Sequence, residues 1–278
     1  MSGAGRTILI TGCSSGIGLH CARRLAEDGW NVVATARRDE DIAMLGDLGL
    51  RSVYLDYAES PSLEHAVAAT LDAGNGRIDA LFNNGAYGQA GAVEDLATDV
   101  LRRQFEANFF GWHELTRRVL PHMRQAGGGR IVHCSSILGF VPYPWRGAYN
   151  ASKFALEGLA STLRLELHGS GIHVSLIEPG PIASKFTQNG LRHFIENIDI
   201  EGSVHAAAYQ RQLRRLNGAS GVNRFRLPPE AVYVKLRHAL TSDRPKAHYR
   251  VTVPTHFMAV AKRLLPQTVL DRILIRSG

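Results

Sequence analysis

Tyr149 and Lys153 stand four residues apart in Tyr149-Asn150-Ala151-Ser152-Lys153, so on a helix they stack on one face. An ammonium that close favours a phenolate and is expected to lower the phenol pKa from about 10 toward neutrality. Such a phenol can serve as general acid toward a nascent alkoxide or as base toward an alcohol. Ser136, thirteen residues before the tyrosine, closes an apolar run. A hydroxyl there can hydrogen-bond a substrate carbonyl and stabilise negative charge developing on its oxygen. Ser135 offers the same group, but alternation along a strand turns it to the other side.

A second constellation can hold a pyrophosphate. The strand-like run Thr7–Thr11 leads through Thr11-Gly12-Cys13-Ser14-Ser15-Gly16-Ile17-Gly18 into a helical pattern. Glycines let the backbone turn sharply and approach a phosphate closely, and a helix N-terminus adds unpaired N–H groups and a positive dipole end. Gly12, Ser14, Ser15, Gly16, Ile17 and Gly18 are therefore the candidate contacts. An acidic residue at the end of the second strand would bind a ribose 2′-OH and repel a 2′-phosphate. Here that strand ends Val33-Ala34-Thr35-Ala36 and is followed by Arg37-Arg38. A guanidinium beside a small neutral residue suits a 2′-phosphate, so Arg37 favours NADP(H) over NAD(H). Asp39 is read as the N-cap of the next helix, facing away from the nucleotide.

Positioning these groups requires a sheet. Strand-like runs fall at Thr7–Thr11, Asn31–Ala36, Ser52–Leu55, Ala80–Asn83, Arg130–Cys134 and His173–Ile177. Between them lie runs of helical periodicity, notably Ile17–Glu27, Asp99–Arg124 and Ala148–Leu167. This alternation predicts an α/β fold, a Rossmann-type doubly wound parallel sheet in a single domain with a C-terminal helical extension. The core spans about 5–185, a substrate-covering insertion about 181–227, and the extension about 228–278. In the extension a helix is expected after Pro228-Pro229, then a short strand near Tyr249–Val253.

Composition fits that reading. Of 278 residues 45% are apolar and 21% charged, an ordinary globular balance that excludes disorder as the main state. No apolar run reaches the ~20 residues that span a bilayer, and Met1–Arg6 lacks a secretory h-region. Three scattered cysteines give neither a disulfide framework nor a zinc site, so no metal is expected and the chain is placed in the cytoplasm. The net charge of +7 is unevenly spread. Residues 1–200 carry 18 Lys and Arg against 21 Asp and Glu; residues 201–278 carry 14 against 4. No recognised nucleic-acid-binding module accompanies that basic quarter, so nucleic acid is not an expected partner. Its last segment, His256–Ile275, is broken by Pro266. It offers Phe257, Val260, Ala261 and Leu264 on one stripe and Leu270, Ile273 and Leu274 on another, with Lys262, Arg263, Arg272 and Arg276 interspersed. Docking on the protein's own core or on another subunit is the expectation, with an anionic membrane surface as the alternative.

The turn Thr11-Gly12-x-x-x-Gly16-x-Gly18 together with Tyr149-x-x-x-Lys153 and Ser136 resembles the short-chain dehydrogenase/reductase family, firmly over residues 5–185. The resemblance implies a catalytic tetrad of Asn108, Ser136, Tyr149 and Lys153. In it Asn108 would hold a water linking the lysine to a proton relay, and Lys153 would also bind the nicotinamide ribose. It further implies Asp56 beside the adenine, Asn83 bridging backbone groups beside the adenosine, and a loop in which Pro179, Gly180, Ile182 and Ser184 touch the nicotinamide. At Asn83-Asn84-Gly85-Ala86 the last two residues exchange the family's usual order. Around the chemistry lie Tyr87, Leu138, Val141, Pro142, Tyr143, Trp145, Phe186 and Phe194, of which Tyr87, Leu138, Tyr143 and Phe186 are the candidate substrate contacts. The extension is similar to that of the retinol- and steroid-dehydrogenase-like branch, implying a hydrophobic carbonyl or alcohol as substrate. Homo-oligomers through Asp99–Arg124 and Ala148–Leu167 are also implied. The rival readings are a non-catalytic NADP(H)-binding regulator, which would need no tetrad, and a nucleotide-sugar epimerase or dehydratase, whose turn reads Gly-x-x-Gly-x-x-Gly.

Overall fold

A computed structural model describes residues 5–217 and 225–277. Among these residues the apolar runs form seven strands: β1 (Thr7–Ile10), β2 (Asn31–Ala36), β3 (Arg51–Tyr54), β4 (Ala80–Asn83), β5 (Gly129–Cys134), β6 (Ile172–Glu178) and β7 (His248–Arg250). They pair in the order β3-β2-β1-β4-β5-β6-β7, every neighbour parallel. The chain builds outward from β1 to β3, then returns to lay β4 on the other side of β1. The connections diverge there, opening a crevice beyond the carboxyl ends of β1 and β4. Ile8, Leu9, Ile10, Leu81 and Phe82 are fully buried, because helices cover both faces of the sheet.

The first covering helices are α1 (Gly16–Glu27), α2 (Asp39–Asp47) and α3 (Ser60–Ala73). Asp39 is not the cap of α2: Arg38 is, and Asp39 is the first helical residue. Asp39, Glu40 and Asp41 all fall in the first turn, where carboxylates meet the positive end of the helix dipole. The Arg38 guanidinium takes Glu40 and Asp41, each at 2.8 Å.

The expected helix Asp99–Arg124 is α4 (Thr98–Phe105) and α5 (Gly111–Gln125), joined without a break by a widened π-turn over Glu106–Phe110. Then follow α6 (Gly147–Glu166), α7 (Phe186–Asn197), α8 (Ala206–Asn217), α9 (Glu230–Thr241), α10 (Val253–Leu264) and α11 (Gln267–Ser277). The insertion thus holds two helices over the carboxyl edge of the sheet. A bridge between Ile182 and Leu227 closes its base; residues 218–224 within it lie outside the described residues.

The last strand comes one residue earlier than expected, and Val253 already opens α10 with Pro254 in its first turn. The stripe expected to dock is also rotated. Met258 and Ala261, with Leu270 and Leu274, pack on Val141, while Phe257, Val260, Leu264 and Ile273 stay exposed. Polar contacts accompany that rotation. The buried Thr252 and Thr255 hydroxyls, 2.9 Å apart, pack on Gly180, and Lys262 Nζ donates to the Phe140 carbonyl at 2.6 Å. No described helix is long and apolar enough to cross a membrane.

Candidate active site

The glycine-rich turn leaves β1 and enters α1 through backbone that side chains resist. Gly12 and Gly16 have φ of +69° and +59°, the left-handed region open to glycine. A Cβ at Gly18 would overlap the Gly12 carbonyl oxygen. Ser15 caps α1 without a side-chain hydrogen bond, leaving the first amides of the helix directed at the crevice.

Thr11 pins this turn to its neighbour. Its Oγ1 accepts from the amides of Asn84 (2.8 Å) and Gly85 (3.1 Å) and from the Tyr57 hydroxyl (2.6 Å). Asn84 Nδ2 reaches back to the carbonyls of Thr11 (3.0 Å) and Gly12 (3.3 Å). The bridging role expected of Asn83 therefore falls to Asn84. Asn83 is fully buried, accepts from Tyr57 at 3.1 Å and donates to Thr116 at 3.1 Å. As the last residue of β4 it points into the sheet's own packing, and its successor faces the turn. The exchanged Gly85 is held at both ends, its carbonyl accepting from Trp112 Nε1 at 2.9 Å. Tyr57, Asn84 and Trp112 carry no signal in the sequence beyond their types.

At the end of β2, Arg37 is 61% exposed with Nη1 3.6 Å from Asp56 Oδ2. Asp56 Oδ1 also closes a local turn by accepting from the Ala58 amide at 3.0 Å. The structure thus brings the two together past the carboxyl ends of β2 and β3, paired with each other.

Ser136, Tyr149 and Lys153 do come together. Ser136 ends the β5 segment as cap of a single 3₁₀ turn, accepting from the Leu138 amide at 3.1 Å. Its hydroxyl also faces the Tyr149 phenol and favours the ionised form there. Lys153 is buried one helical turn below Tyr149, with Nζ donating to the Cys134 carbonyl at 2.8 Å and 4.0 Å from the Trp112 ring centroid. Burial brings the Lys153 pKa down to about 8. The lowering expected for the phenol is reversed: burial pushes Tyr149 well above the ordinary tyrosine range, against a smaller opposing effect of Ser136. Helical spacing alone carries no information about desolvation, which here is the larger effect.

Asn108 lies in the π-turn, fully buried. Its Nδ2 donates to the Tyr87 carbonyl at 2.8 Å, its Oδ1 accepts from the Tyr87 amide at 3.2 Å, and Ser152 Oγ lies 3.5 Å away. Such single π-turns often mark functional positions, because they re-aim one side chain. The next loop crosses the front of the site. The Pro179 carbonyl accepts from the Ile137 amide at 2.8 Å, Gly180 packs on Thr252, and Ser184 lies against Gly16. Ser184 Oγ also accepts from the Phe186 amide at 3.3 Å, entering α7.

Behind Lys153, Glu157, Glu178 and His248 group together. His248 Nδ1 is 2.6 Å from Glu178 and Arg250 Nε 3.4 Å from the same carboxylate. Burial raises Glu157 to about 7. A guanidinium already seated on the buried carboxylate disfavours a cation there.

Tyr149 forms one wall of a cavity whose other lining is mostly apolar: Leu138, Trp145, Phe186, Leu191, Phe194, Tyr209 and Leu213, with Gly88 and Gly190 between. Leu138 and Phe186 are therefore placed as expected, with Phe186 edge-on to Tyr149 at 5.3 Å. Tyr87 and Tyr143 are not in this lining. The Tyr87 ring packs tilted against His193 with centroids 4.4 Å apart, and the Tyr143 amide donates to Asn150 Oδ1 at 3.3 Å. Tyr209, on a helix absent from the sequence reading, takes their place. Trp145 holds φ +64°, a strained value for a non-glycine residue in a cavity wall.

Comparison with known proteins agrees with this geometry. The short chain dehydrogenase family model matches residues 6–193. The uncharacterized oxidoreductase YbbO of Escherichia coli is 41% identical over 269 residues, covering 97% of this chain and 94% of that protein. The 3-ketodihydrosphingosine reductase of Bacteroides thetaiotaomicron is 39% identical over 74% of each chain. Human 17-beta-hydroxysteroid dehydrogenase type 1 is 33% identical over 88% of this chain and 77% of its own. Among solved structures, a Burkholderia phymatum short chain dehydrogenase/reductase in complex with NAD superposes with TM-score 0.78 at 23% identity, covering 94% and 92%. An actinorhodin polyketide ketoreductase with NADPH gives 0.73 at 28%, covering 88% and 95%. With its parallel sheet, its glycine turn and a family match over two thirds of its length, this chain is an oxidoreductase of the short chain dehydrogenase family.

Proposed function

We propose that the chain is an NADP(H)-dependent oxidoreductase that interconverts a hydrophobic carbonyl compound and its alcohol. The observation that carries the reading is the Tyr149 phenol, set beside Ser136, backed by buried Lys153 and forming the wall of an apolar cavity. The residues present fit a dinucleotide. Gly12, Gly16 and Gly18 leave a cradle that side chains would fill, and the first turn of α1 presents amides to it. Arg37, held by Asp56 only at 3.6 Å where Arg38 is engaged by Glu40 and Asp41 at 2.8 Å each, supports a 2′-phosphate. Gly180, Ile182 and Ser184 would border the nicotinamide end. When bound, this cofactor supplies or accepts a hydride at the carbonyl carbon.

The chain's own residues handle the oxygen. Ser136 holds the carbonyl oxygen by its hydroxyl, and Tyr149 delivers its proton there as negative charge develops. Its raised pKa keeps the phenol protonated at neutral pH, the form needed for reduction. Lys153, as an ammonium, stabilises the phenolate left behind. Asn108 clamps the backbone of Tyr87 beside the cavity. The apolar lining supports a lipophilic substrate, in keeping with the substrates named for the steroid and sphingosine relatives. Exposed Phe110, Phe154 and Leu165 on the π-turn and α6 support homo-oligomer contacts.

The test is oxidation of NADPH and NADH against retinoid, steroid and long-chain carbonyls, with wild type and Arg37→Glu. A charge-assisted hydrogen bond to the 2′-phosphate contributes about 1.5–3 kcal/mol. The variant should therefore reduce the NADPH-over-NADH preference by roughly tenfold or more. A wild-type preference for NADH overturns the cofactor assignment, and tight NADPH binding with no turnover on any carbonyl overturns the reaction.

A further inference from the structure

The rotation of α10 leaves its outer face without a protein partner among the described residues. Val253, Phe257, Val260 and Leu264 are 68%, 58%, 56% and 75% exposed. Spaced four, three and four apart, they form one narrow stripe along the helix. The opposite face is the docked one, with Thr255, Met258 and Ala259 buried. Four large apolar side chains in one line exceed the scattered exposure normal for a soluble surface.

The charge around the stripe indicates what covers it. Residues 253–278 carry Lys262, Arg263, Arg272 and Arg276 against Asp271 alone. Lys262 is turned inward to Phe140, and Gln267 bonds Asp271 at 2.7 Å. Arg263 adjoins the stripe, while Arg272 and Arg276 project from α11 on the side opposite buried Leu270 and Leu274. None of these three guanidinium groups meets a carboxylate among the described ion pairs. A second copy of this face would set like charge against like charge. An anionic surface with an apolar interior complements both features.

We propose that the outer face of α10 and α11 docks on an anionic lipid membrane, with Phe257, Val260 and Leu264 entering the acyl boundary and Arg263, Arg272 and Arg276 at the headgroups. The two helices pack through Val141 and Ile137 on the loop that carries Leu138 of the cavity. Docking there brings the substrate opening close to a lipid phase without adding a spanning segment.

Full-length protein is tested by co-sedimentation with phosphatidylcholine vesicles with and without phosphatidylglycerol. Wild type should pellet with the anionic vesicles and remain soluble with the neutral ones. The double variants Phe257→Glu/Leu264→Glu and Arg272→Glu/Arg276→Glu should each weaken binding by roughly tenfold or more. Their circular dichroism and turnover on a water-soluble carbonyl should stay unchanged, since the altered residues are exposed and outside the site. Equal sedimentation of wild type and both variants overturns the proposal. So does absence of wild-type binding, including the case where Phe257→Glu/Leu264→Glu instead converts an oligomer to a smaller species by light scattering.

Discussion

The crevice beside β1 and the helical cover over the cavity hold their residues by different means. On the crevice side the chain is bound through its backbone. Thr11 Oγ1 accepts two backbone amides and the Tyr57 hydroxyl, Asn84 ties two carbonyls, and the supporting strands are fully buried. On the cover side, α7 and α8 are joined to the body mostly through side chains. Tyr209 bonds Asp95, His205 meets Glu94 at 2.5 Å in an exposed pair, and Asn197 donates to Gln89 at 3.1 Å. Phe194, Tyr209 and Trp145 pack as an aromatic cluster that is separate from the main core. Buried backbone bonds tolerate little displacement, whereas side-chain contacts on an exposed cover can be exchanged at modest cost. One region is built to present fixed geometry, the other to be re-cut for a different substrate.

That contrast can be broken at either end. The largest effect is expected at Gly18. Gly18→Val places branched carbon against the Gly12 carbonyl and the Asn84 amide, and should abolish dinucleotide binding in a fluorescence titration. Retained binding would show that the turn adapts as the cover does. A smaller, different effect is expected on the cover. Phe186→Ala removes the ring that packs edge-on against Tyr149 and touches Gly88. It should raise KM for a bulky hydrophobic carbonyl by roughly tenfold, with kcat on a small carbonyl nearly unchanged, because the lost contact binds ground and transition state alike. A collapse of kcat on both substrates would make Phe186 part of the rigid machinery instead.

The same contrast decides what could be read from sequence. Types and spacings located Gly12 to Gly18, Ser136, Tyr149 and Lys153, because a strand-turn-helix and a helical i, i+4 pair constrain positions directly. Four features escaped for physical reasons. Asn83 and Asn84 differ only in which side of the strand end they face, so the bridging role was assigned one residue early. The sign of the Tyr149 shift depends on burial by Phe186 and the cover, which no local spacing records. The face that α10 buries carries Thr255 packed on Gly180, and Lys262 reaches Phe140, contacts far off in sequence that the helical spacing does not record. Tyr209 lies in a segment whose helices pack on Ala92 and on each other through Phe194 and Ile198, and its glycines at Gly202 and Gly218 mark breaks without telling helix from loop between them.

The central claim is that the buried Tyr149 hydroxyl is the proton donor to a carbonyl held at Ser136. Tyr149→Phe removes one oxygen and leaves the ring, its contact with Phe186 and the helix intact. Measured by NADPH oxidation on a hydrophobic ketone or aldehyde, with NADPH affinity measured in parallel, this variant should lose roughly 100-fold or more in kcat and keep its affinity for NADPH. Turnover near the wild-type value in a variant that binds NADPH normally would contradict the account.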